Sequence, residues 1–310
     1  MAAITAKQVS DLRAKTGCGM MDCKKALVEA NGDFDEAIKL LREKGLAVAA
    51  KKADRIAAEG LVDIEFNEAG DKAAMIEVNC ETDFVAKNAS FQAFVKDLLK
   101  IILANGPKTV EELNGMKYND TMTVEQALKD KVFQIGENIS IRRFLTVEGT
   151  LSSYIHGKGT MGVIIKFQAD DAAKNNPGFA EMAKNIALQN AAMTPTYVDK
   201  DSVPASVIDE EKEVLMAQIK NDESNANKPQ QIIEKMVNGR IGKFYEQNCL
   251  TEQSYVKDDK MTVGQYVAAC AKEFGGSIKI DSFYRYERGE GLQKREDDLA
   301  AEVAKLTGQK

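Results

Sequence analysis

The spacing of apolar residues changes character near residue 60, and that change divides the chain. Before it, apolar positions recur at helical spacing in short pieces. Thr5 and Gln8 have the spacing of a capping box, Ile4 and Val9 form a hydrophobic staple around it, Leu12 continues the stripe, and Gly17 stands where a helix end takes glycine. A second helix is expected to start near Met20 to Asp22 and to stop at Gly32. A third starts from Asp33 with Glu36, carries Phe34, Ala37, Ile38 and Leu41, and ends by Gly45. No proline precedes Pro107, so nothing breaks these helices from within. The pattern predicts a three-helix module over 1–45. An alanine- and lysine-rich helical connector over 46–59 follows, with too little apolar bulk for a core.

Past Gly60 the period becomes two. Val62, Ile64 and Phe66 alternate with Leu61, Asp63 and Glu65, and Ala74, Ile76, Val78 and Cys80 alternate with Met75, Glu77 and Asn79. This reads as a hairpin turning around Asn67 to Asp71. Phe91, Phe94, Val95, Leu98, Leu99 and Ile102 return to helical spacing, Asn105, Gly106 and Pro107 break it, and a further helix from Val124 precedes a strand from Ile139 to Val147. The class is α+β, with a first core subdomain over 60–148.

The core repeats itself. Thr123, Val124, Gln126, Gly136, Ile139, Ile141, Phe144 and Glu148 recur 139 positions later as Thr262, Val263, Gln265, Gly275, Ile278, Ile280, Phe283 and Glu287. Earlier, Asp83, Ala86, Lys87 and Asn88 match Asp170, Ala173, Lys174 and Asn175 at an offset of 87, and Phe91 matches Phe179 at 88. A second subdomain over 149–287 follows. The rise in offset from 88 to 139 places an insertion of 51 residues inside it. Pro204 opens one amphipathic stretch there and Pro229 another, with polar residues from Asn221 to Lys228 between them. Two helices joined by so short a loop predict an antiparallel helical hairpin, about 200–250, projecting from the core.

Charge and composition then narrow the chemistry. Forty-two Lys and Arg against 48 Asp and Glu leave a net charge of −6, which argues against phosphate neutralisation on nucleic acid as the main task. No apolar run approaches a membrane span and no secretory leader is legible, so a cytoplasmic chain is expected. The five cysteines lack metal-knuckle spacing, and His156 is the only histidine, so neither a metal nor a cofactor is expected. The Gly157-Lys158 pair fails as a phosphate loop, because Ser152 replaces the required upstream glycine and Gly159 follows the lysine. Tyr154 to Thr160 read instead as a hairpin turn that exposes His156.

Two segments remain for recognition. Thr82, Asp83, Phe84 and Val85 lie between a strand and a helix, and Phe84 breaks the repeat, its counterpart at the offset of 87 being Asp171. Phe84 is either core packing or a recognition wedge. In the first module, Met20 and Met21 follow a glycine-rich turn; two adjacent methionines cannot both point inward, so at least one is expected at the surface.

Thr16-Gly-Cys-Gly-Met-Met-Asp-Cys-Lys-Lys-Ala26, Asn79-Cys-Glu-Thr-Asp-Phe-Val-Ala-Lys87 and Tyr154-Ile-His-Gly157 resemble the signatures of the bacterial translation elongation factor Ts family, and the resemblance continues to Gly289-Glu-Gly291 and an alanine-rich C-terminal segment. It implies a guanine-nucleotide exchange factor without covalent catalysis, acting on elongation factor Tu. By the same resemblance the first module is similar to ubiquitin-associated domains, and residues 288–310 form a C-terminal helical module. Arg13, Met20, Met21 and Lys24 would contact the nucleotide-binding domain of elongation factor Tu, and His156 a second region. Thr82, Asp83, Phe84 and Val85 would dislodge its magnesium. The hairpin would supply a homodimer or a further partner contact. A binding module without exchange activity is the alternative reading.

Overall fold

In the computed structural model, residues 4–222 and 228–293 are described. Three helices open the chain: α1 (Ala6–Thr16), α2 (Met20–Glu29) and α3 (Phe34–Lys52). The Thr5 and Gln8 capping box starts α1 and left-handed Gly17 ends it, while Asn31 and Gly32, both at positive φ, turn the chain after α2. Leu12, Cys23, Leu27, Ala37 and Leu41 make the core of this bundle.

α3 does not end by Gly45. It continues to Lys52, so the first half of the expected connector is the end of a core-packing helix. The cause is tertiary: Gly45 is buried against Phe133, whose Cβ lies 3.5 Å from where a Gly45 side chain would begin. The glycine that resembles a helix stop is a point of close approach. The docking is completed by Gln134 Nε2, which donates to Thr16 O at 2.7 Å, and by Asn138 Nδ2, which donates to the carbonyls of Ala53 and Arg55.

The first core copy runs β1 (Glu59–Phe66), β2 (Lys72–Cys80), α4 (Asp83–Ala86), α5 (Ala89–Asn105), α6 (Val110–Gly115), β3 (Lys117–Asn119), β4 (Met122–Thr123), α7 (Val124–Ile135) and β5 (Ile139–Glu148). The second runs β6 (Thr150–His156), β7 (Met161–Ala169), α8 (Asp171–Lys174), α9 (Phe179–Met193), α10 (Ala205–Asn221), α11 (Gln230–Asn248), β8 (Ser254–Tyr255), β9 (Asp258–Thr262), α12 (Val263–Phe274) and β10 (Ile278–Glu287). Each copy builds an antiparallel three-stranded sheet with its second strand central: β1-β2-β5 and β6-β7-β10. The duplication reaches fine detail. Thr123 with Gln126 and Thr262 with Gln265 form equivalent capping boxes. The last strand of each copy carries the same irregularity, a residue bulged out of register at Arg142 and at Asp281.

The two sheets pack on each other through Val62, Ile64, Met75, Val147 and Ile164, each copy having its helical layer on the far side. That arrangement buries β2 on both faces, so Met75, Glu77 and Asn79 form a second interior face rather than a solvated one.

In the insertion, α10 and α11 join through Leu215, Ile219, Ile233, Val237 and Ile241. They run antiparallel: the chain leaves at Thr196 and returns at Asn248, whose carbonyl accepts from the Thr196 amide at 2.9 Å, and Arg240 reaches Gln218 at 3.5 Å farther out. The loop between them lies partly outside the described residues. So does most of the helical module expected over 288–310; residues 288–292 form turns and bends that leave β10.

Candidate partner-binding surface

α4 is a single turn between the central strand of the first sheet and α5. Thr82 caps it, its hydroxyl accepting from Val85 N at 3.4 Å. Phe84 points out of this turn and is 80% exposed, so it is no core residue. Asp83 beside it is half-exposed and pairs with Lys87 at 2.5 Å; the Lys87 ammonium is the main cause holding its carboxyl below the ordinary value. Val85, expected among the partner-contacting residues, is buried beneath the turn among the side chains of the first core, because that side of the turn packs on β1, β2 and α5. Thr82 is likewise occupied with holding the turn. Asp83 and Phe84 remain as the groups on offer. Beside them, burial, and after it the negative charge of Glu137, pushes the Cys80 thiol up to about 12, which leaves it inert.

The sheet registers correct the alignment of this segment. Cys80 pairs with Ile139 as Ala169 pairs with Ile278, which fixes the strands at an offset of 89. The caps Thr82 and Asp170 are 88 apart, as are Asn88 and Asn176, whose side chains accept from the amides of Ser90 and Gly178. The first copy therefore has one extra residue, Glu81, and the counterpart of Phe84 is Ala172 rather than Asp171.

α2 presents a second surface. Its N-terminus rests on Gly19, and Cys23, Ala26 and Leu27 face inward. Met20 and Met21 are both at the surface, 54% and 62% exposed; Lys24 and Val28 continue that face at helical spacing, and Arg13 is exposed on α1.

His156 ends β6 and is exposed, with the Tyr154 hydroxyl 3.1 Å from Nδ1. The turn after it holds Gly157, Lys158 and Gly159 at positive φ. Gly159 is a position only glycine fits: its carbonyl accepts from Val62 N at 2.8 Å, and a Cβ there would lie 2.0 Å from Leu61 Cδ1. Arg288 locks the same turn from the other side. Its amide donates to Thr160 O at 2.9 Å, its guanidinium pairs with Glu59 at 2.9 Å, and its charge is among those lowering Asp83. Glu59 is in turn the register partner of Cys80. The Phe84 and His156 turns, which come from different copies, are thus fixed to one end of β1. A groove of about 310 Å³ lined by Asp63, Gln92, Lys96, Ile155 and Lys158 opens beside the His156 turn. Arg13, Met20, Met21 and Lys24 belong to the separate three-helix module.

Sequence reasoning missed Glu77, Glu137 and Arg288, which hold these pieces together. The signal for Glu77 was a carboxylate inside an apolar strand facing a later Arg142-Arg143 pair; in register it lies opposite Arg143. All five cysteines are buried and free, and among the described residues no cluster of His, Cys, Asp or Glu could hold a metal ion, and no helix is long and apolar enough to cross a membrane.

The family profile of Elongation factor TS matches residues 81–290, a span that starts at the extra residue Glu81 and ends at the turn carrying Arg288. Elongation factor Ts of Clostridium kluyveri (strain ATCC 8527) is 48% identical over 307 residues, covering 97% of this chain and 98% of its own. Elongation factor Ts of Clostridioides difficile (strain 630) is 47% identical over 307 residues, covering 98% and 99%. That of Clostridium botulinum (strain Eklund 17B) is 45% identical over 308 residues, covering 98% and 99%. With the profile covering the second core copy and the first from Glu81 onward, and these relatives matching nearly end to end, the chain belongs to the elongation factor Ts family of translation elongation factors.

Proposed function

We propose that the chain is a guanine-nucleotide exchange factor for translation elongation factor Tu, acting in the cytoplasm by binding alone and without covalent chemistry. The observation that carries this reading is Phe84: an aromatic side chain 80% exposed on a one-turn helix, in one copy of a duplicated core and not in the other. A ring left in solvent adds nothing to this fold and gains free energy only when a partner removes its apolar area from water.

In this reading, Met20, Met21, Lys24 and Arg13 seat the three-helix module, similar to ubiquitin-associated domains, on the nucleotide-binding domain of elongation factor Tu. Asp83 and Phe84 enter beside the magnesium and phosphate site, and His156 contacts a second region. A bound nucleoside diphosphate depends on backbone amides at a helix N-terminus and on a magnesium ion to neutralise its phosphates. Displacing the elements that carry the magnesium ligands removes that neutralisation and GDP leaves. GTP then displaces the exchange factor, because nucleotide and factor oppose each other's binding by the same ratio. The chain itself requires no cofactor, nucleic acid or membrane, and binds neither GDP nor GTP. The α10-α11 hairpin supplies a homodimer or a further partner contact.

The test is the release of fluorescent GDP from purified elongation factor Tu, timed with and without this chain. Acceleration at substoichiometric concentration supports exchange; binding without acceleration leaves only a binding module and rejects the reading.

A further inference from the structure

A helix of four residues cannot hold its own geometry, so an exposed aromatic on one must be positioned by something else. Around α4 that group is Glu137, just past the C-terminus of α7. Its Oε2 accepts from the amides of Glu81 and Thr82 at 3.1 and 3.0 Å, and its Oε1 accepts from the Thr82 hydroxyl at 2.6 Å. The same hydroxyl accepts from Val85 N and so closes the turn. The arrangement is reciprocal: Glu81 Oε1 accepts from Asn138 N at 2.6 Å, so each strand end gives a carboxylate to the other's backbone.

The second copy has neither carboxylate. The residue 139 positions after Glu137 is Gly276, where a Cβ would lie 2.2 Å from Asp170 Oδ1, and the cap Asp170 accepts instead from the Ser277 amide and hydroxyl at 2.8 and 2.9 Å and from the Ala173 amide at 2.9 Å. That copy also lacks Glu81 and has Ala172 in place of Phe84. The extra residue, the carboxylate that binds its backbone and the exposed ring thus occur together in one copy and are absent together from the other.

We propose that Glu137 is a positioning residue for Phe84, fixing the direction in which the ring leaves the surface; this rests on the exchange reading above. Val85 and Ala86 anchor the underside of the turn in the first core, and the three hydrogen bonds fix the backbone that leads into it, and with it the direction of the exposed ring. Because Glu137 is only partly buried, water can replace those bonds, and the fold outlasts their loss.

The experiment measures GDP release from elongation factor Tu against concentration of the full chain, for the wild type, Glu137→Ala, Glu137→Gln, Phe84→Ala and the double variant Glu137→Ala with Phe84→Ala, each with its melting temperature. Glu137→Ala is expected to lower the maximal release rate about tenfold while shifting the half-saturating concentration by no more than about twofold. Glu137→Gln, which keeps one carbonyl acceptor, is expected between Glu137→Ala and wild type. The deciding outcome is in the double variant: once Phe84 is gone, losing Glu137 should cost far less than it costs the wild type, the remainder being what Asp83 on the same turn still contributes. Additive losses, or full activity of a folded Glu137→Ala, would overturn the proposal. If Glu137→Ala does not fold, Thr82→Val, which removes the 2.6 Å hydrogen bond to Glu137 together with the longer one from Val85 N, is put through the same cycle with the same two outcomes. Failure of the wild-type chain to accelerate release rejects the exchange reading and this role with it; acceleration with additive losses rejects the role alone.

Discussion

The amide of Gly289 donates to Glu77 Oε1 at 2.8 Å, so the end of the second sheet completes the hydrogen-bond shell of a fully buried carboxylate in the centre of the first. Arg143 reaches the same carboxylate at 2.6 Å, Arg142 at 3.0 Å and Asn79 at 3.2 Å, and Arg143 continues to Glu290 at 3.0 Å. Burial pushes the Glu77 carboxyl up, but these donors together outweigh it and hold the group below its ordinary value of 4.5. A carboxyl lowered in the folded state stabilises the protein above the unfolded value and ceases to do so as pH falls through the folded one. Stability should therefore decline on acidification below about pH 4.5, and Glu77→Gln should flatten that decline. Glu77→Ala, which strands two arginines, should cost about 3 to 5 kcal/mol at neutral pH in urea unfolding. An unaltered acid limb in Glu77→Gln would contradict this account.

Phe84→Ala should leave the melting temperature nearly unmoved, because the ring is already in solvent. A buried phenylalanine would lose about 3 to 5 kcal/mol on the same change. GDP release from elongation factor Tu should slow about tenfold for each ~1.4 kcal/mol by which the nucleotide-free complex is destabilised. Calorimetry and stopped-flow on one preparation separate the two effects; a destabilised variant with normal exchange per folded molecule would remove Phe84 from the mechanism.

Replacing Met20 and Met21 together by Ala should weaken association while the helical signal persists, since Cys23, Ala26 and Leu27 make the inward face of α2. Each methionine covered in a complex contributes about 1 to 2 kcal/mol by its apolar area. Titration calorimetry of the complex and circular dichroism of the free chain check both halves of this expectation, and unchanged affinity would show that this face of α2 stays uncovered.

Two glycines should respond to alanine with opposite signs. Gly45 has helical geometry and 3.5 Å of room before Phe133, so Gly45→Ala should stabilise by up to about 1 kcal/mol through helix propensity. Gly159 has φ +99° and no room before Leu61, so Gly159→Ala should destabilise by about 1 to 3 kcal/mol and loosen the His156 turn from β1. Thermal melts of the two variants decide it; equal signs would mean that the surroundings of one of them are misassigned.

What was legible in the sequence was what neighbours along the chain determine. The capping box at Thr5, the turn at Asn67 to Asp71 and the repeat at an offset of 139, whose Thr123 and Thr262 prove to be equivalent helix caps, all stand in the structure. The continuation of α3 past Gly45 was not legible, because it depends on Phe133, a residue of another element. The offset of the Phe84 segment was misread by one position, since only the pairing of Cys80 with Ile139 shows that Glu81 has no counterpart. Glu137 and Glu77 escaped for the same reason: their partners lie 55 and 212 residues away in the chain. Val85 and Phe84 are adjacent and both apolar, and only the orientation of a one-turn helix decides which is inside.

The extra residue at Glu81 gives the molecule a polarity that its near-symmetry conceals. Placing phenylalanine at Ala172, which is itself exposed, would supply the missing side chain, but neither the added length of backbone between strand and helix nor the carboxylate that binds that backbone. Substitution alone cannot convert one half into the other; a deletion or insertion is required, and it would have to arrive together with a carboxylate at Gly276, where Asp170 leaves no space. The two halves of the duplicated core thus differ at this turn by a single codon's worth of chain, and only the first presents an aromatic ring there.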